Sequence, residues 1–165
     1  MRSVNNDTYY DDVIFYRTIT ASLQRLFICP VDKPYKITSD CAARADVKNK
    51  NGNLVVAGSY HQALDISKPG NVPVKAVADG EIVECYIAPD GKKYSGHPVY
   101  GGYYIIRHEQ GIHTVYAHLK TTEIKIIGVK VKQGDILGYM GATGKATGQH
   151  LHFEIFIDPK FLFEE

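Results

Sequence analysis

Two histidines separated by one residue stand near the end of the chain, in the stretch GQHLHFEIF. Residues two apart on a β-strand point to the same face of the sheet. His150 and His152 are therefore expected to project together, while Leu151, Phe153 and Ile155 face the core. Two imidazoles on one face, held by an apolar underside, could bind a metal ion or transfer protons.

Two further segments carry a histidine beside a turn signal. SYHQALDIS places His61 four residues before Asp65, and TVYAHLK ends a strand pattern at His118, where a loop is expected to begin. Neutral imidazole and carboxylate are common ligands of Zn²⁺. If the three segments converge, two histidines and one carboxylate can hold Zn²⁺ with water in the fourth position. The two remaining histidines can then orient that water and stabilise an oxyanion.

The elements that must position these residues are mostly β-strands. From Pro30 onward, short runs rich in Val, Ile and Tyr alternate with Gly- and Pro-containing breaks. Asp79-Gly80 and Gln110-Gly111 are predicted hairpin turns. The segment 89–102 is predicted to be a surface loop that helps to shape a cleft. The fold class predicted from these patterns is mainly β, with an antiparallel sheet or sandwich core.

Residues 1–28 have a different texture, without Gly or Pro. Apolar and aromatic side chains recur there at helical spacing, which predicts an N-terminal amphipathic helix. We therefore divide the chain into a helical extension or linker (1–28) and one main domain (29–165). The extension either docks on a partner or second domain, or packs on the main domain. The recurring positions are Tyr9, Val13, Tyr16, Thr20, Leu23 and Phe27.

Composition excludes several classes of function. The chain has 165 residues with a net charge of +1, so no electrostatic attraction to nucleic acid or anionic lipid is expected. No apolar run approaches the ~18 residues of a membrane span, so no transmembrane segment is expected. No signal peptide is visible at the N-terminus. None of the three cysteines forms a C-x-x-C zinc knuckle.

Five ordered segments between about Ile37 and Ile155 resemble the lysostaphin-type (LytM-like) zinc metallopeptidases, which cut peptide cross-bridges of bacterial peptidoglycan. The resemblance implies a duplicated-hybrid-motif-like β fold and a peptidoglycan endopeptidase. The matching segments are ITSDCAAR, which ends at Arg44, HQALD, PVKAVADGEIV, YIIRHEQGIHTVYAHL and VKQGDILGYMGATGKATGQHLHFEI.

The resemblance also implies a role for each chemical residue. His61, Asp65 and His152 would bind one Zn²⁺, and His118 and His150 would form the catalytic pair. On the last strand, His152 would thus bind the metal while His150 acts on the substrate and water.

The chain departs from the family pattern near the expected cleft wall. Ala63 and Gln149 stand where the family usually has glycine and proline, and Cys41-Ala42-Ala43 replaces its Phe-Gly before the arginine. These departures remove no ligand.

Two other functions stay open at this point. One is a non-enzymatic scaffold or activator of the same fold in an envelope complex. The other is a sugar-phosphotransferase carrier domain, whose β-sandwich also pairs two histidines but does not need the pair of His61 and Asp65. A peptidase of this kind would act in the cell envelope or extracellular space, as a phage lysin, as a virion component or after secretion.

The remaining polar and aromatic residues receive simpler interpretations. His97, His108 and His113 are expected to be solvated. Thr143 and Thr147 are expected to serve a turn that positions His150. Several tyrosines could line a peptide groove, without a role for any single one: Tyr60, Tyr94, Tyr100, Tyr103 and Tyr104.

Overall fold

The fold was analysed in a computed structural model of the chain. The residues that the structure describes are 26–39, 42–44, 47–48, 54–56, 59–88, 96–120, 126–158 and 160. The helix predicted over residues 1–28 lies almost wholly outside them, so the helix and the domain boundary stay predictions. The end of that segment does contact the main domain. Phe27 packs against the core, and the Ile28 N–H donates to the Val77 carbonyl at 2.9 Å.

Short β-strands make up nearly all the regular structure of the described residues. Alternating β-branched and aromatic residues, bounded by Gly and Pro, account for their positions. The strands are β1 (Lys36–Ser39), β2 (Ala42–Arg44), β3 (Val47–Lys48), β4 (Leu54–Val56), β5 (Ser59–His61), β6 (Leu64–Ser67), β7 (Pro73–Lys75), β8 (Gly80–Tyr86), β9 (Gly102–Arg107), β10 (Ile112–Lys120), β11 (Lys130–Val131), β12 (Ile136–Met140) and β13 (Leu151–Ile157).

Nine of these strands form one sheet. Its order is β1-β6-β13-β10-β9-β8-β11, with β12 pairing both β10 and β7, and every pair that we describe is antiparallel. The strands β2 and β5, and β3 and β4, form two further two-stranded antiparallel sheets. The prediction of a mainly β, antiparallel fold is confirmed. Among the described residues, no helix is long and apolar enough to cross a membrane.

The central strands of the large sheet have two different faces. Neighbouring residues of a strand point to opposite sides, and on β9 and β10 they belong to two separate apolar clusters. The main core includes Tyr104 and Tyr116, both fully buried. The smaller cluster contains Tyr103, Val115 and Ala117. Because Ala117 is paired with His152 on β13, the smaller cluster shares its face with the histidines.

The strand β13 follows the predicted alternation only in its first half. Leu151 and Phe153 are buried in the main core, as predicted. Ile155, however, is 45% exposed, so its predicted core position is wrong. Among the described residues, the pairing of β13 with β6 ends at Phe153, and beyond that point β13 pairs with β10. The exposed residues of β13 all lie in this second half of the strand.

Only one of the two predicted hairpin turns joins paired strands. Gln110-Gly111 lies in a short 3-10 helix (Glu109–Gly111) that connects β9 to β10, and both residues have positive φ. Asp79-Gly80 does not make a hairpin, because β7 pairs with β12 whereas β8 pairs with β9 and β11. Instead, an Asp79 carboxylate oxygen accepts the Gln133 N–H at 2.8 Å and ties this bend to a distant turn.

Candidate metal centre

Three strands, from two sheets, bring His61, Asp65 and His152 together. His61 ends β5, and Asp65 and His152 are directly paired in the ladder between β6 and β13. The carboxylate oxygen Asp65 Oδ1 lies 3.0 Å from His152 Nδ1 and 3.3 Å from His61 Nε2, and the two ring nitrogens are 3.4 Å apart. Residues far apart in the sequence therefore offer three donor atoms at one point.

These donors have the chemistry and the spacing of a zinc site. Two imidazole nitrogens and one carboxylate oxygen are typical Zn²⁺ ligands. The three donor atoms all lie within 4.8 Å of one another. Zinc bonds of about 2.0–2.1 Å in a tetrahedron separate neighbouring ligand atoms by about 3.3 Å, close to the distances observed. The residues fit the ion.

The electrostatic surroundings of this point favour a cation. Burial alone would lower the pKa of His152, but hydrogen bonds with Asp65 and Glu154 outweigh it and raise the pKa to about 9. Burial would raise the pKa of Asp65, yet the hydrogen bond with His152 and the neighbouring histidines keep it below its usual value. Asp65 is therefore an ionised carboxylate among imidazoles.

Each prospective imidazole ligand has a partner on its other ring nitrogen. His61 Nδ1 lies 3.1 Å from the Ser39 hydroxyl, and His152 Nε2 lies 2.7 Å from Glu154 Oε1. The same carboxylate oxygen accepts the Tyr100 hydroxyl at 2.9 Å. Sequence reasoning missed Ser39 and Glu154. The alternation of β13 was the available signal for Glu154, since it puts residues 152 and 154 on one face.

A β-bulge in β10 aims His118 at the site. The register between β9 and β10 pairs Tyr116 with Tyr104 and Leu119 with Gly102, so two residues of β10 stand opposite one of β9. His118 takes a positive φ of 63°, which is uncommon outside glycine. Bulges commonly re-aim a side chain in this way. The prediction that a loop begins at this histidine is wrong, because β10 continues beyond it.

His118 is buried and anchored. Its Nδ1–H donates to the Thr143 carbonyl at 2.9 Å, so the other ring nitrogen, Nε2, is left to act as an acceptor. Burial, followed by the charge of His150, lowers the pKa of His118 to about 4.

The predicted role of Thr143 is corrected accordingly, because this residue positions His118 and not His150. Its hydroxyl also donates to the Leu119 carbonyl and accepts the Gly102 N–H, both at 2.9 Å.

His150 lies on the other side of the same space. Its ring centroid is 4.7 Å from that of His118, and its Nε2 is 3.8 Å from Asp65 Oδ1. The Nδ1–H of His150 donates to the Gly148 carbonyl at 2.9 Å. The structure thus brings together all five predicted site residues.

A polar cleft of about 420 Å³ borders these residues. Asp65 and His150 line it together with four hydroxyl-bearing residues, Thr38, Ser39, Ser67 and Thr147. Gln149, which stands where the family usually has proline, helps to shape this edge. Its side-chain amide donates to the carbonyls of Lys68 and Gly70, both at 2.8 Å.

The structure differs from some of the predictions for the other histidines and the tyrosines. His108 is buried and not solvated, because its ring nitrogens lie 2.7 Å from the Asp79 carbonyl and 2.7 Å from the Thr114 hydroxyl. His97 and His113 are partly exposed. Tyr100 lies beside the site with its ring centroid 5.7 Å from that of His152, whereas Tyr104 is a core residue. The Tyr94 residue and the Tyr60 side chain lie outside the part of the chain described.

A β domain that gathers imidazoles and a carboxylate in this way offers a site for a metal ion. Peptidase family M23 matches residues 59–161, which is more than half of the chain. The chain therefore belongs to Peptidase family M23, and the resemblance to lysostaphin-type metallopeptidases is confirmed. This membership removes the sugar-phosphotransferase carrier as an alternative.

Named relatives and solved structures agree with the family. The peptidoglycan DD-endopeptidase ShyB of Vibrio cholerae is 34% identical over 149 residues, which are 89% of this chain and 32% of ShyB. The solved structure of a zinc-containing peptidase from Vibrio cholerae is 34% identical with a TM-score of 0.59, and covers 80% of this chain and 37% of that one. The catalytic domain of lysostaphin from Staphylococcus simulans is 27% identical with a TM-score of 0.56, over 74% and 80% of the two chains. The chain spans about a third of the length of the curated relatives that it matches first.

Proposed function

We propose that this domain is a zinc-dependent endopeptidase that hydrolyses peptide cross-links or stem peptides of bacterial peptidoglycan. The convergence of His61, Asp65 and His152, with donor atoms within 4.8 Å of one another, carries this proposal. His118 and His150 stand next to that point as the proposed catalytic pair. Zn²⁺ bound by the three ligands would polarise the scissile carbonyl and acidify a water molecule.

The two catalytic histidines share one protonation pattern. Each donates its Nδ1–H to a main-chain carbonyl, so each keeps the lone pair of Nε2 for the reaction. A neutral imidazole in this tautomer can accept a proton from the attacking water and later return it to the leaving amine. A protonated imidazole can donate a hydrogen bond to the oxyanion of the tetrahedral intermediate.

The substrate and the place of action are inferred from the family. A relative named as a peptidoglycan DD-endopeptidase supports a peptidoglycan peptide as substrate. The domain would then act in the cell envelope or extracellular space, as part of a phage lysin or virion or as a secreted enzyme. The polar cleft beside His150, lined by small and hydroxyl-bearing residues, suits an extended peptide with small side chains.

Digestion of purified peptidoglycan tests the proposal. The zinc-loaded protein is incubated with peptidoglycans of known cross-link chemistry, new amino groups are quantified, and the released fragments are identified by mass spectrometry. We expect amino groups to appear with zinc and to disappear after exhaustive chelation, then to return when zinc is restored. Activity that survives complete removal of metal would rule the mechanism out.

The same experiment addresses the alternative of a non-enzymatic scaffold. A protein that binds zinc stoichiometrically and binds peptidoglycan, but releases no amino groups from any of the peptidoglycans, would support that alternative. The complete set of five site residues argues for the enzyme, because a scaffold has no need of the paired Nε2 acceptors of His118 and His150.

A further inference from the structure

Glu154 links the candidate metal centre to a tyrosine. One carboxylate oxygen, Glu154 Oε1, lies 2.7 Å from His152 Nε2 and accepts the Tyr100 hydroxyl at 2.9 Å. We propose that Glu154, oriented by Tyr100, is a positioning residue that holds His152 in the tautomer and orientation needed to bind the metal through Nδ1. This inference rests on the proposed function, since it assumes that His152 is a ligand.

The strand geometry fixes the carboxylate where it is needed. Residues 152 and 154 lie on the same face of β13. The side chains of His152 and Glu154 are 15% and 16% exposed, so neither is free to exchange its partner for bulk water at low cost. Tyr100 is held in place through its main chain as well, because its carbonyl accepts the His118 N–H at 2.7 Å.

The chemistry of imidazole explains what the carboxylate does. A neutral histidine has one ring nitrogen that carries a proton and one that carries a free lone pair. The hydrogen-bond partner of one nitrogen determines which of the two is protonated. An ionised carboxylate only accepts hydrogen bonds, so Glu154 selects the form of His152 that carries its proton on Nε2. Asp65 Oδ1 accepts the other ring proton, on Nδ1, at 3.0 Å. A bound ion would take the place of that proton, whereas Glu154 keeps the proton on Nε2. A carboxylate in this position also makes the ligand more basic, which strengthens metal binding.

The other imidazole ligand offers an internal comparison. His61 Nδ1 faces the neutral hydroxyl of Ser39 at 3.1 Å, a longer contact than the one between His152 and Glu154. A hydroxyl can donate or accept, and so it constrains the tautomer less than a carboxylate does. Loss of Glu154 should therefore weaken metal binding more than loss of the Ser39 hydroxyl.

The chain contains a matched control pair for Glu154 and Tyr100. On the same face of the sheet, the Tyr103 hydroxyl donates to Glu84. Glu84 is on β8, which is separated from β13 by β10 and β9. The control pair therefore has the same two residue types and the same kind of hydrogen bond, away from His152.

Zinc affinity is the primary test, with Zn²⁺ itself as the probe in competition with a chromogenic chelator. We expect Glu154→Ala to bind Zn²⁺ about 10- to 100-fold more weakly than the wild type. Glu154→Gln and Tyr100→Phe should give smaller losses in the same direction, and Ser39→Ala a smaller loss than Glu154→Ala. Glu84→Gln and Tyr103→Phe should bind Zn²⁺ as the wild type does. Wild-type affinity in both Glu154 variants would overturn the inference.

A second measurement separates positioning from general stability. Nitrogen-15 NMR of the zinc-loaded protein should show His152 protonated on Nε2 in the wild type and in Glu84→Gln. In Glu154→Ala we expect the Nε2 proton to exchange faster with solvent. Unchanged exchange would contradict the proposed role. If Glu154→Ala fails to fold without metal, the isosteric Glu154→Gln decides the question. A wild type that binds no zinc would instead remove the proposed function, so the two failures are distinguishable.

Discussion

His118 and His150 lie side by side with ring centroids 4.7 Å apart, and each turns its Nδ1–H toward a main-chain carbonyl. The backbone thus sets the same tautomer in two residues from distant parts of the sequence. Both rings lie next to the prospective metal ligands, with His150 Nε2 3.8 Å from Asp65 Oδ1, and neither belongs to the group of three proposed ligands. Metal binding and proton transfer should therefore be separable by mutation.

Replacement of a proposed ligand and of a proposed catalytic histidine should have different effects. We expect Asp65→Ala or His61→Ala to lose zinc binding and peptide hydrolysis together, because a donor atom is removed. His150→Ala should keep zinc but lose about 10²- to 10⁴-fold in the rate of hydrolysis, which is typical for a general acid or base. Zinc content by mass spectrometry and amino-group release measure the two effects. His113→Ala, at the start of β10, is the control that should retain both, and a His150→Ala protein of wild-type rate would contradict the assignment.

The Thr143 hydroxyl should stabilise the segment that holds His118. Thr143 is fully buried, and its hydroxyl bonds the main chain of both Leu119 and Gly102. Thr143→Val keeps the shape but leaves buried polar groups unpaired, which costs about 1–3 kcal/mol of unfolding free energy. Thr143→Ser keeps the hydroxyl and should lose only about 1 kcal/mol for one methyl group. Urea denaturation compares them, and equal midpoints for the two variants would refute the role of the hydroxyl.

Gly101 should tolerate no side chain, because two effects coincide there. Its φ is +67°, and an added Cβ would lie 2.2 Å from Thr143 Oγ1 and 2.4 Å from the Thr143 carbonyl carbon. Gly70 has a φ of +92° with open space around it, so Gly70→Ala tests the backbone effect alone. We expect Gly70→Ala to cost about 1–2 kcal/mol and Gly101→Ala clearly more, with reduced hydrolysis. Thermal unfolding of both variants checks this, and equal losses would mean that the close approach is unimportant.

The buried His108 should make the domain sensitive to mild acid. Burial lowers the pKa of His108 below its ordinary value of 6.5 in the folded protein. Between that lowered pKa and about pH 6.5, the unfolded chain binds more protons than the folded one. Stability therefore falls as the pH drops through this window and levels off below the folded pKa.

Replacement of His108 isolates its contribution. We expect His108→Gln to flatten the slope of unfolding free energy against pH just below pH 6.5, relative to the wild type. Thr147→Ala, which changes an exposed residue of the polar cleft and removes no titratable group, should keep the wild-type slope in this window. Chemical denaturation at a series of pH values gives both profiles. A His108→Gln slope equal to that of the wild type would show that this histidine does not couple protonation to folding.

The residues proposed to bind metal could be predicted from the sequence more easily than the residues and backbone features that hold them in place. His61, Asp65 and His152 stand in short motifs with fixed spacing, and strand alternation alone puts the two histidines of H-x-H on one face. The hydrogen bond from Tyr100 to Glu154 joins residues 54 positions apart, so no local pattern announces it. The bulge at His118 depends on the pairing of two strands and is equally invisible in a single segment.

Long-range pairing also explains the errors in the fold. Asp79-Gly80 has the composition of a hairpin turn, but its neighbours pair with strands from elsewhere in the chain. Ile155 has the alternation of a core residue, but it lies beyond the end of its pairing with β6. His108 has the context of an exposed turn, but Asp79 and Thr114 enclose it. In each case the pairing or packing of other segments decides the outcome, and the local pattern does not.

The direct pairing of His152 with Asp65 has one more consequence. Because the ladder of β6 and β13 fixes the backbone positions of these two residues, separation of the two strands would pull two of the three proposed ligands apart. Such a separation should therefore release a bound ion. A bound ion would in turn hold β6 and β13 together.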